Sequence, residues 1–447
     1  MITDYDGMDD MLRKNEYALC DIIDVNNMGC GVARIDGMVV FVDGAVTGDR
    51  LRVKMIKIAK DYGVARIEEI LEASPYRIAS DCPVSGRCGG CAYRHIAYPY
   101  ELELKRGYVL QAFRKAGISG AEVGGVLHTG EICGYRNKIQ MPVSPETADA
   151  GYYARRSHEI IACDTCRLQS PVFQPLLSFV QEYLRRYHVR QVRHIYMRHA
   201  KGTGEIMVCP VSRTGQLPHT DELVGTLTAL NPDVKSVLVN VNPDDTNVIL
   251  GKTCVPLLGD GSITDVLCGL RFRISPLSFY QVNHDAAELL YREAVRRVAE
   301  INPETVADLY CGTGTIGLTA AKELPGIRLK GVEIIPDAVR NARYNAELND
   351  IRNASFLCAD SVSAEVGGME CVILDPPRKG CSAELLQKIA DERIRRVVYV
   401  SCNADTLARD SAFLLKNGYK MADVVPVDMF PRTGSVECVT HFDCKEG

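Results

Sequence analysis

The sequence predicts an α/β protein. A doubly wound domain is expected over residues 271–447, a small β-barrel over 11–73, and a mixed α+β domain over 74–270 between them. Three observations carry this. From Ser275 onward, apolar strand-like runs alternate with amphipathic helical ones, the rhythm of a parallel sheet covered by helices. Residues 11–72 instead break into short alternating runs punctuated by Gly and Asp, the pattern of a small barrel. The stretch between is cysteine-rich at its start and then loop-rich, with short strands such as Ser236–Val241. At 447 residues the chain has room for about three domains of ~150 residues.

The elements follow in order. Barrel strands are read in Tyr17–Val25, Gly29–Val46, Asp49–Lys60 and Tyr62–Leu71. Ser74-Pro75 marks a boundary, and a helix over 98–116 is expected to pack on the C-terminal domain. There, strands are read in Val306–Tyr310, Leu329–Ile334, Ala354–Asp360, Cys371–Asp375 and Arg395–Cys402, with helices in Thr315–Leu324 and Asp337–Asn349.

Composition excludes several classes. Hydrophobic residues make up 46% and charged residues 24%, an ordinary globular balance. The start, MITDYDGMDD, is acidic and no apolar core of a secretory signal follows it. No run approaches the ~18 apolar residues of a membrane span. A cytoplasmic protein without a membrane partner is expected, its 18 cysteines reduced. The net charge of −5 argues against nucleic-acid binding by bulk charge alone. Yet Gly134–Lys201 holds eleven Lys/Arg against five Asp/Glu, with four His and several Tyr interleaved. That composition suits a polyanion-binding face.

Val306–Tyr310 runs into Cys311-Gly-Thr-Gly-Thr-Ile-Gly317, which opens a helix. Glycines there let the backbone turn tightly and approach a ligand. Glu333 ends the next strand, where an acid can accept hydrogen bonds from ribose hydroxyls. Asp360 ends the third and is a candidate partner for an adenine amino group. Gly312, Gly314 and Gly317 match the dinucleotide spacing, so the loop leaves NAD and S-adenosylmethionine both open.

Two further strands end in Asp375-Pro-Pro-Arg-Lys-Gly380 and Ser401-Cys402-Asn403, and a last strand starts near Glu437. If that last strand is antiparallel, Asp375, Cys402 and Glu437 converge over the loop. A thiol and a carboxylate beside a methyl donor suit C5 of uracil, which is too weak a nucleophile unaided. A thiolate adding to C6 makes C5 nucleophilic, and a base then removes the C5 proton. Cys402 is the expected nucleophile and Glu437 the base.

With Ser278-Phe-Tyr-Gln-Val-Asn283, Asp308-Leu-Tyr-Cys-Gly-Thr-Gly314, Asp375–Gly380, Ser401–Asn403 and Pro431-Arg-Thr through Glu437 in this order, the C-terminal 170 residues resemble the RNA 5-methyluridine methyltransferase family. The resemblance implies a Rossmann-like S-adenosylmethionine-dependent methyltransferase domain. It implies cofactor contacts at Gln281, Tyr310, Glu333 and Asp375. Gly312, Gly314, Thr315 and Asp360 join the cofactor set from the loop reading. Ala404 stands where the family usually has Pro, and Thr315 where many members have Asn; neither change removes a reactive group.

Cys82, Cys88 and Cys91 form a C-x5-C-x2-C trio, with Cys163 and Cys166 farther on. Four thiolates suit a [4Fe–4S] cluster or a structural zinc. The resemblance implies the cluster, with Cys166 as fourth ligand and Cys163 as the alternative. The glycine pattern Gly29 … Gly37 … Gly44 … Gly48 resembles a TRAM domain, an OB-like RNA-binding barrel. Lys54, Lys57 and Lys60 are then natural phosphate contacts, and Phe279 and Tyr280 candidates to stack on a base flipped into the pocket. The combination of barrel and cysteine trio resembles the 23S ribosomal RNA branch of the family most closely, which implies that RNA as substrate, with transfer RNA the alternative; no obligate protein partner is expected. A non-catalytic RNA chaperone is the rival of another class. A radical-type methylthiotransferase would need C-x3-C-x2-C, which is absent.

Overall fold

The computed structural model describes residues 12–155, 157–163, 165–244 and 246–445. The chain divides into two units. The first comprises the chain up to Ser85, Gly90–Tyr108 and Arg432–Gly434. The second comprises Gly86–Gly89, Val109–Pro431 and the chain from Ser435. No helix among the described residues is long and apolar enough to cross a membrane.

The first unit is a six-stranded sheet of β1 (Tyr17–Asp21), β2 (Asp24–Val25), β3 (Cys30–Ile35), β4 (Met38–Asp43), β5 (Arg50–Ile58) and β6 (Tyr62–Glu72), in the order β1-β5-β6-β4-β3-β2. Alternation puts Val40, Val42, Leu51, Val53 and Met55 into one core and their polar neighbours into solvent. Register shifts between β5 and β6 mark bulges, which bend and twist a sheet. Asp49 is buried and accepts from the Ser74 backbone at 2.9 Å and from Arg77 Nε at 3.0 Å, tying the Ser74-Pro75 boundary to the sheet. Helix α1 (Tyr98–Lys115) begins in this unit and passes into the second at Val109.

The second unit opens with β7 (Lys138–Pro142) and the hairpin β8 (Gly151–Tyr153) and β9 (Ile160–Ala162). Next come α2 (Phe173–Arg186), β10 (Val192–His199), β11 (Ile206–Ser212), α3 (Thr220–Leu230), β12 (Val234–Val241) and β13 (Thr253–Leu258). Strands β13-β12-β11-β10-β7 form a five-stranded sheet with α2 and α3 against its core. The hairpin β14 (Ile263–Leu267) and β15 (Leu270–Ile274) leads into α4 (His284–Ala299).

The rest is the doubly wound sheet. In order come β16 (Thr305–Leu309), α5 (Thr315–Glu323), β17 (Arg328–Glu333), α6 (Pro336–Leu348), β18 (Ala354–Cys358), β19 (Cys371–Leu374), α7 (Ala383–Asp391), β20 (Arg396–Ser401), α8 (Ala404–Lys416), β21 (Tyr419–Met421), β22 (Val425–Val427) and β23 (Glu437–Cys444). The strand order is β18-β17-β16-β19-β20-β23-β21, with β22 also on β23. Strands β16 to β20 are parallel and β23 is antiparallel to β20. Every residue of β16, β19 and β20 is buried, as covering both sheet faces requires. The order reverses between β16 and β19, which opens a crevice at their carboxyl ends.

Candidate active site

The loop after β16 lines that crevice. Tyr310 and Cys311 both donate backbone hydrogen bonds to the Val332 carbonyl, at 3.0 and 3.1 Å. Tyr310 holds φ 69° and Gly314 φ 84°, left-handed values that cost a non-glycine residue strain. Gly314 then caps α5, and Thr315, its first residue, donates to the Tyr291 hydroxyl at 3.3 Å. The Gly317 amide donates to Asp308 Oδ2 at 2.9 Å, and a Cβ on Gly317 would stand 2.7 Å from that oxygen.

Glu333 reaches back into the loop. Its Oε2 accepts from the Gly312 amide at 3.1 Å and its Oε1 from the Ile335 amide at 2.9 Å. Asp360 caps the turn Ser361–Ser363 through the Val362 amide at 3.0 Å, and its charge is felt by the Tyr310 hydroxyl. Gln281 is buried; its carbonyl accepts from Asn137 Nδ2 at 3.0 Å and its side chain meets the Tyr291 hydroxyl. Gly312, Gly314, Thr315, Tyr310 and Glu333 thus form one bonded loop, with Asp360 at its edge and Gln281 reaching Thr315 through Tyr291. Asp308, Tyr291 and Asn345, which donates to the Thr313 carbonyl at 3.1 Å, shape the loop and were not among the expected residues. Asp308 could have been found as the acid that opens Asp308–Gly314.

Cys402 and Glu437 stand at the adjoining strand ends. The β20–β23 register pairs Ser401 with Cys438, so one step further Cys402 faces Glu437. Glu437 is buried while Cys402 keeps some exposure. Burial first, and then the Asp375 charge, push Glu437 up to about 8, against the pull of Arg378. Burial, Glu437 and Asp375 push the Cys402 thiol up to about 11, and Arg378 again opposes. Burial raises Asp375 to about 7.

Arg378 is therefore a cation of the site, unassigned from sequence though it lies in Asp375–Gly380. Asn403 holds its backbone: Nδ2 donates to the Arg378 carbonyl at 3.0 Å while Oδ1 caps α8 through the Asp405 amide at 3.1 Å. Thr406 adds a bond to the same carbonyl at 3.3 Å. Cys402 also precedes the first turn of α8, whose partial positive charge favours a thiolate.

Other expected residues fall differently. Phe279 is 69% exposed, but Tyr280 is 4% exposed. The Tyr280 ring packs against Phe272 at 6.4 Å and its hydroxyl faces Asp265. Tyr280 is a core residue and cannot stack on a flipped base without unpacking. Lys54 Nζ lies 5.4 Å from the Tyr17 ring centroid and Lys57 Nζ 5.6 Å from that of Tyr62.

The donor set Cys82, Cys88, Cys91 and Cys166 fits an all-thiolate centre in kind, and all four are partly exposed. In arrangement, no three His, Cys, Asp or Glu side chains among the described residues stand together to hold a metal ion. Within the second unit, Cys88 bridges to Ala154 beside β8, and the Tyr152 hydroxyl adjoins the Cys166 thiol.

Residues 278–399 match the methyltransferase small domain, and residues 360–444 match the tRNA (uracil-5-)-methyltransferase family. An uncharacterised RNA methyltransferase of Halalkalibacterium halodurans is 38% identical over 97% of this chain and 98% of its own length. One of Clostridium acetobutylicum is 36% identical over 96% of each. The crystal structure of the Pyrococcus abyssi tRNA (uracil-54, C5)-methyltransferase in complex with S-adenosyl-L-homocysteine superposes with a TM-score of 0.77 at 28% identity. It covers 95% of this chain and 100% of that one. The chain belongs to the RNA uracil-C5 methyltransferase family.

Proposed function

We propose that the protein methylates C5 of a specific uridine in 23S ribosomal RNA through a covalent adduct between Cys402 and C6. The observation that carries the reading is Cys402 facing Glu437 beside Asp375 and the Tyr310–Gly317 loop. S-adenosylmethionine, when bound at that loop, supplies the methyl group and a sulfonium charge. The residues to hold it are Gln281, Tyr310, Gly312, Gly314, Thr315, Glu333, Asp360 and Asp375. Loop amides and the Glu333 carboxylate are already fixed by hydrogen bonds, so little ordering is needed on binding.

The Cys402 thiolate forms a bond to C6, and the C5–C6 π pair moves onto the C4 carbonyl oxygen as an enolate. C5 takes the methyl group, and the S–CH3 pair leaves with S-adenosylhomocysteine. The Glu437 carboxylate then removes the C5 proton, the C5–C6 double bond re-forms and the Cys402 thiolate is expelled. Arg378 favours the anionic forms of both residues. Burial of Glu437 keeps its carboxylate basic enough to accept a carbon-bound proton.

A transfer-RNA substrate is the second reading, favoured by the extent of likeness to the Pyrococcus abyssi tRNA enzyme. Mass spectrometry of 5-methyluridine in ribosomal and transfer RNA from a deletion strain separates them. Loss from ribosomal RNA supports the first reading; loss from transfer RNA alone supports the second. Full 5-methyluridine in both rejects the activity.

The same proposal includes a TRAM-like RNA-binding role for the N-terminal strands, through Lys54, Lys57 and Lys60, and a cytoplasmic location. It also includes a [4Fe–4S] cluster on Cys82, Cys88, Cys91 and Cys166, with Cys163 as the alternative fourth ligand. Methyl transfer is redox-neutral, so the cluster would order the loops around it. Iron and acid-labile sulfide in anaerobically purified protein test this, and stoichiometric zinc would replace it with a structural zinc.

A further inference from the structure

Strands β7 and β10, with the residue two before β7, bring three cations together. Lys138 pairs directly opposite Arg198 in the β7–β10 register, and Arg136 lies two residues before Lys138. Like charges directly opposite destabilise a sheet. Among the described residues no carboxylate forms an ion pair with any of the three. Arg198 is 1% exposed, yet its Nε and Nη1 are buried without a hydrogen-bond partner. Its Nη2 makes a single long bond, 3.4 Å, to the Ser278 carbonyl. The guanidinium also lies 5.9 Å from the Tyr196 ring centroid; a buried guanidinium with two unbonded nitrogens costs stability. Burial, and then Arg198 and Arg136, pull the Lys138 ammonium down to about 8. Arg136 and Lys138 are only partly buried, whereas Arg198 lies beneath the surface.

The array adjoins the active site. Asn137, between Arg136 and Lys138, binds the Val282 carbonyl through its amide at 2.8 Å and the Gln281 carbonyl through its side chain at 3.0 Å. The exposed ring of Phe279 follows Ser278 in the same segment. We propose that Lys138 and Arg136, above the buried Arg198 charge, form an anion subsite that takes a backbone phosphate of the substrate RNA next to the methylated uridine. This rests on the RNA-methylation reading above and assigns it a phosphate contact. A phosphate held by Lys138 and Arg136, above the buried Arg198 charge, would relieve the repulsion between the three cations. It would fix the strand's register while the base enters the crevice. The carboxylate of the cofactor's methionine portion is the other anion within the same chemistry.

The test uses the full-length protein and fluorescein-labelled poly(U), with S-adenosylhomocysteine affinity and thermal stability measured alongside. Lys138→Met and Arg198→Met should each weaken poly(U) binding and flatten log Kd against log salt by about 0.7 per lost phosphate contact. S-adenosylhomocysteine affinity should hold, and Lys138→Met should keep or raise Tm because it removes a repelled charge. Should Arg198→Met fold poorly, Lys138→Met carries the test. An unchanged slope overturns the subsite. So does a fall in S-adenosylhomocysteine affinity with the RNA slope intact, which would assign the anion to the cofactor. A flat slope already in the wild type overturns the RNA reading itself, whereas a steep wild-type slope unaltered in the variants overturns the subsite alone.

Discussion

Cys402 and Glu437 face each other because β23 runs antiparallel to β20 with Ser401 opposite Cys438. Thirty-five positions apart in the chain, they become neighbours through register alone, at the ~5 Å typical of directly opposed strand residues. The pairing leaves the thiol reachable and the carboxylate buried.

Cys402→Ala should abolish uridine methylation while RNA affinity stays within about twofold of wild type, because the thiol contributes reactivity rather than binding area. Single-turnover transfer of labelled methyl groups, with a binding assay in parallel, checks this. Residual turnover at the wild-type rate rejects Cys402 as nucleophile.

Glu437→Gln should slow product formation by about 10²–10⁴-fold and let the RNA–protein adduct accumulate. The C6 bond can form without the base, but elimination waits for loss of the C5 proton. A denaturing gel reads the adduct as a retarded band. Its absence in a folded, cofactor-binding variant argues that Glu437 does not act after methyl transfer.

The pH dependence follows from the same pair. Glu437 is raised to about 8 by burial and Asp375 while Arg378 pulls it down. The base must be ionised, so kcat/KM should rise with pH through that region. Arg378→Gln removes the downward pull and should move the rising limb to higher pH. An unshifted limb in that variant would show that Arg378 does not tune the base.

Much of this architecture was legible in the chain. Strands β16, β19 and β20 stand as apolar runs because strands covered on both faces need them. The expected antiparallel last strand is β23. What was hidden depends on context. In β11, every residue is buried although Pro210 sits in the run, and Pro reads against a central strand. Arg378 owes its place to Asn403 and Thr406, distant in sequence, which hold its carbonyl. Tyr280 and Phe279 are adjacent aromatics that composition cannot tell apart; Tyr280 is buried against Phe272 and Asp265, whereas Phe279 stays largely exposed.

That difference yields a paired prediction. Phe279→Ala should leave Tm unchanged, since its ring is largely exposed, and weaken RNA binding by the ~1–3 kcal/mol of one base–aromatic stack. Tyr280→Ala should instead lower Tm by opening a core cavity, a loss of ~3–5 kcal/mol for a large aromatic. Thermal melts and RNA titrations of the two variants decide it. If both variants lost only RNA affinity, the burial of Tyr280 would have no role in folding.

Asp308 supplies a stability test away from the chemistry. Burial raises its carboxyl from 3.8 to about 8, with the Gly317 amide opposing and the Asp375 and Glu333 charges adding. The folded state therefore holds a proton that the unfolded state releases near pH 4. Between those values the folded chain binds more protons, so stability is fully present below about pH 4 and is lost as pH rises through about 8. Asp308→Asn keeps an acceptor for the Gly317 amide but carries no charge to release. Its Tm should fall less than that of the wild type between pH 5 and pH 8.5, the two curves separating as pH rises. Parallel curves would mean that Asp308 is ionised in the folded protein across this range.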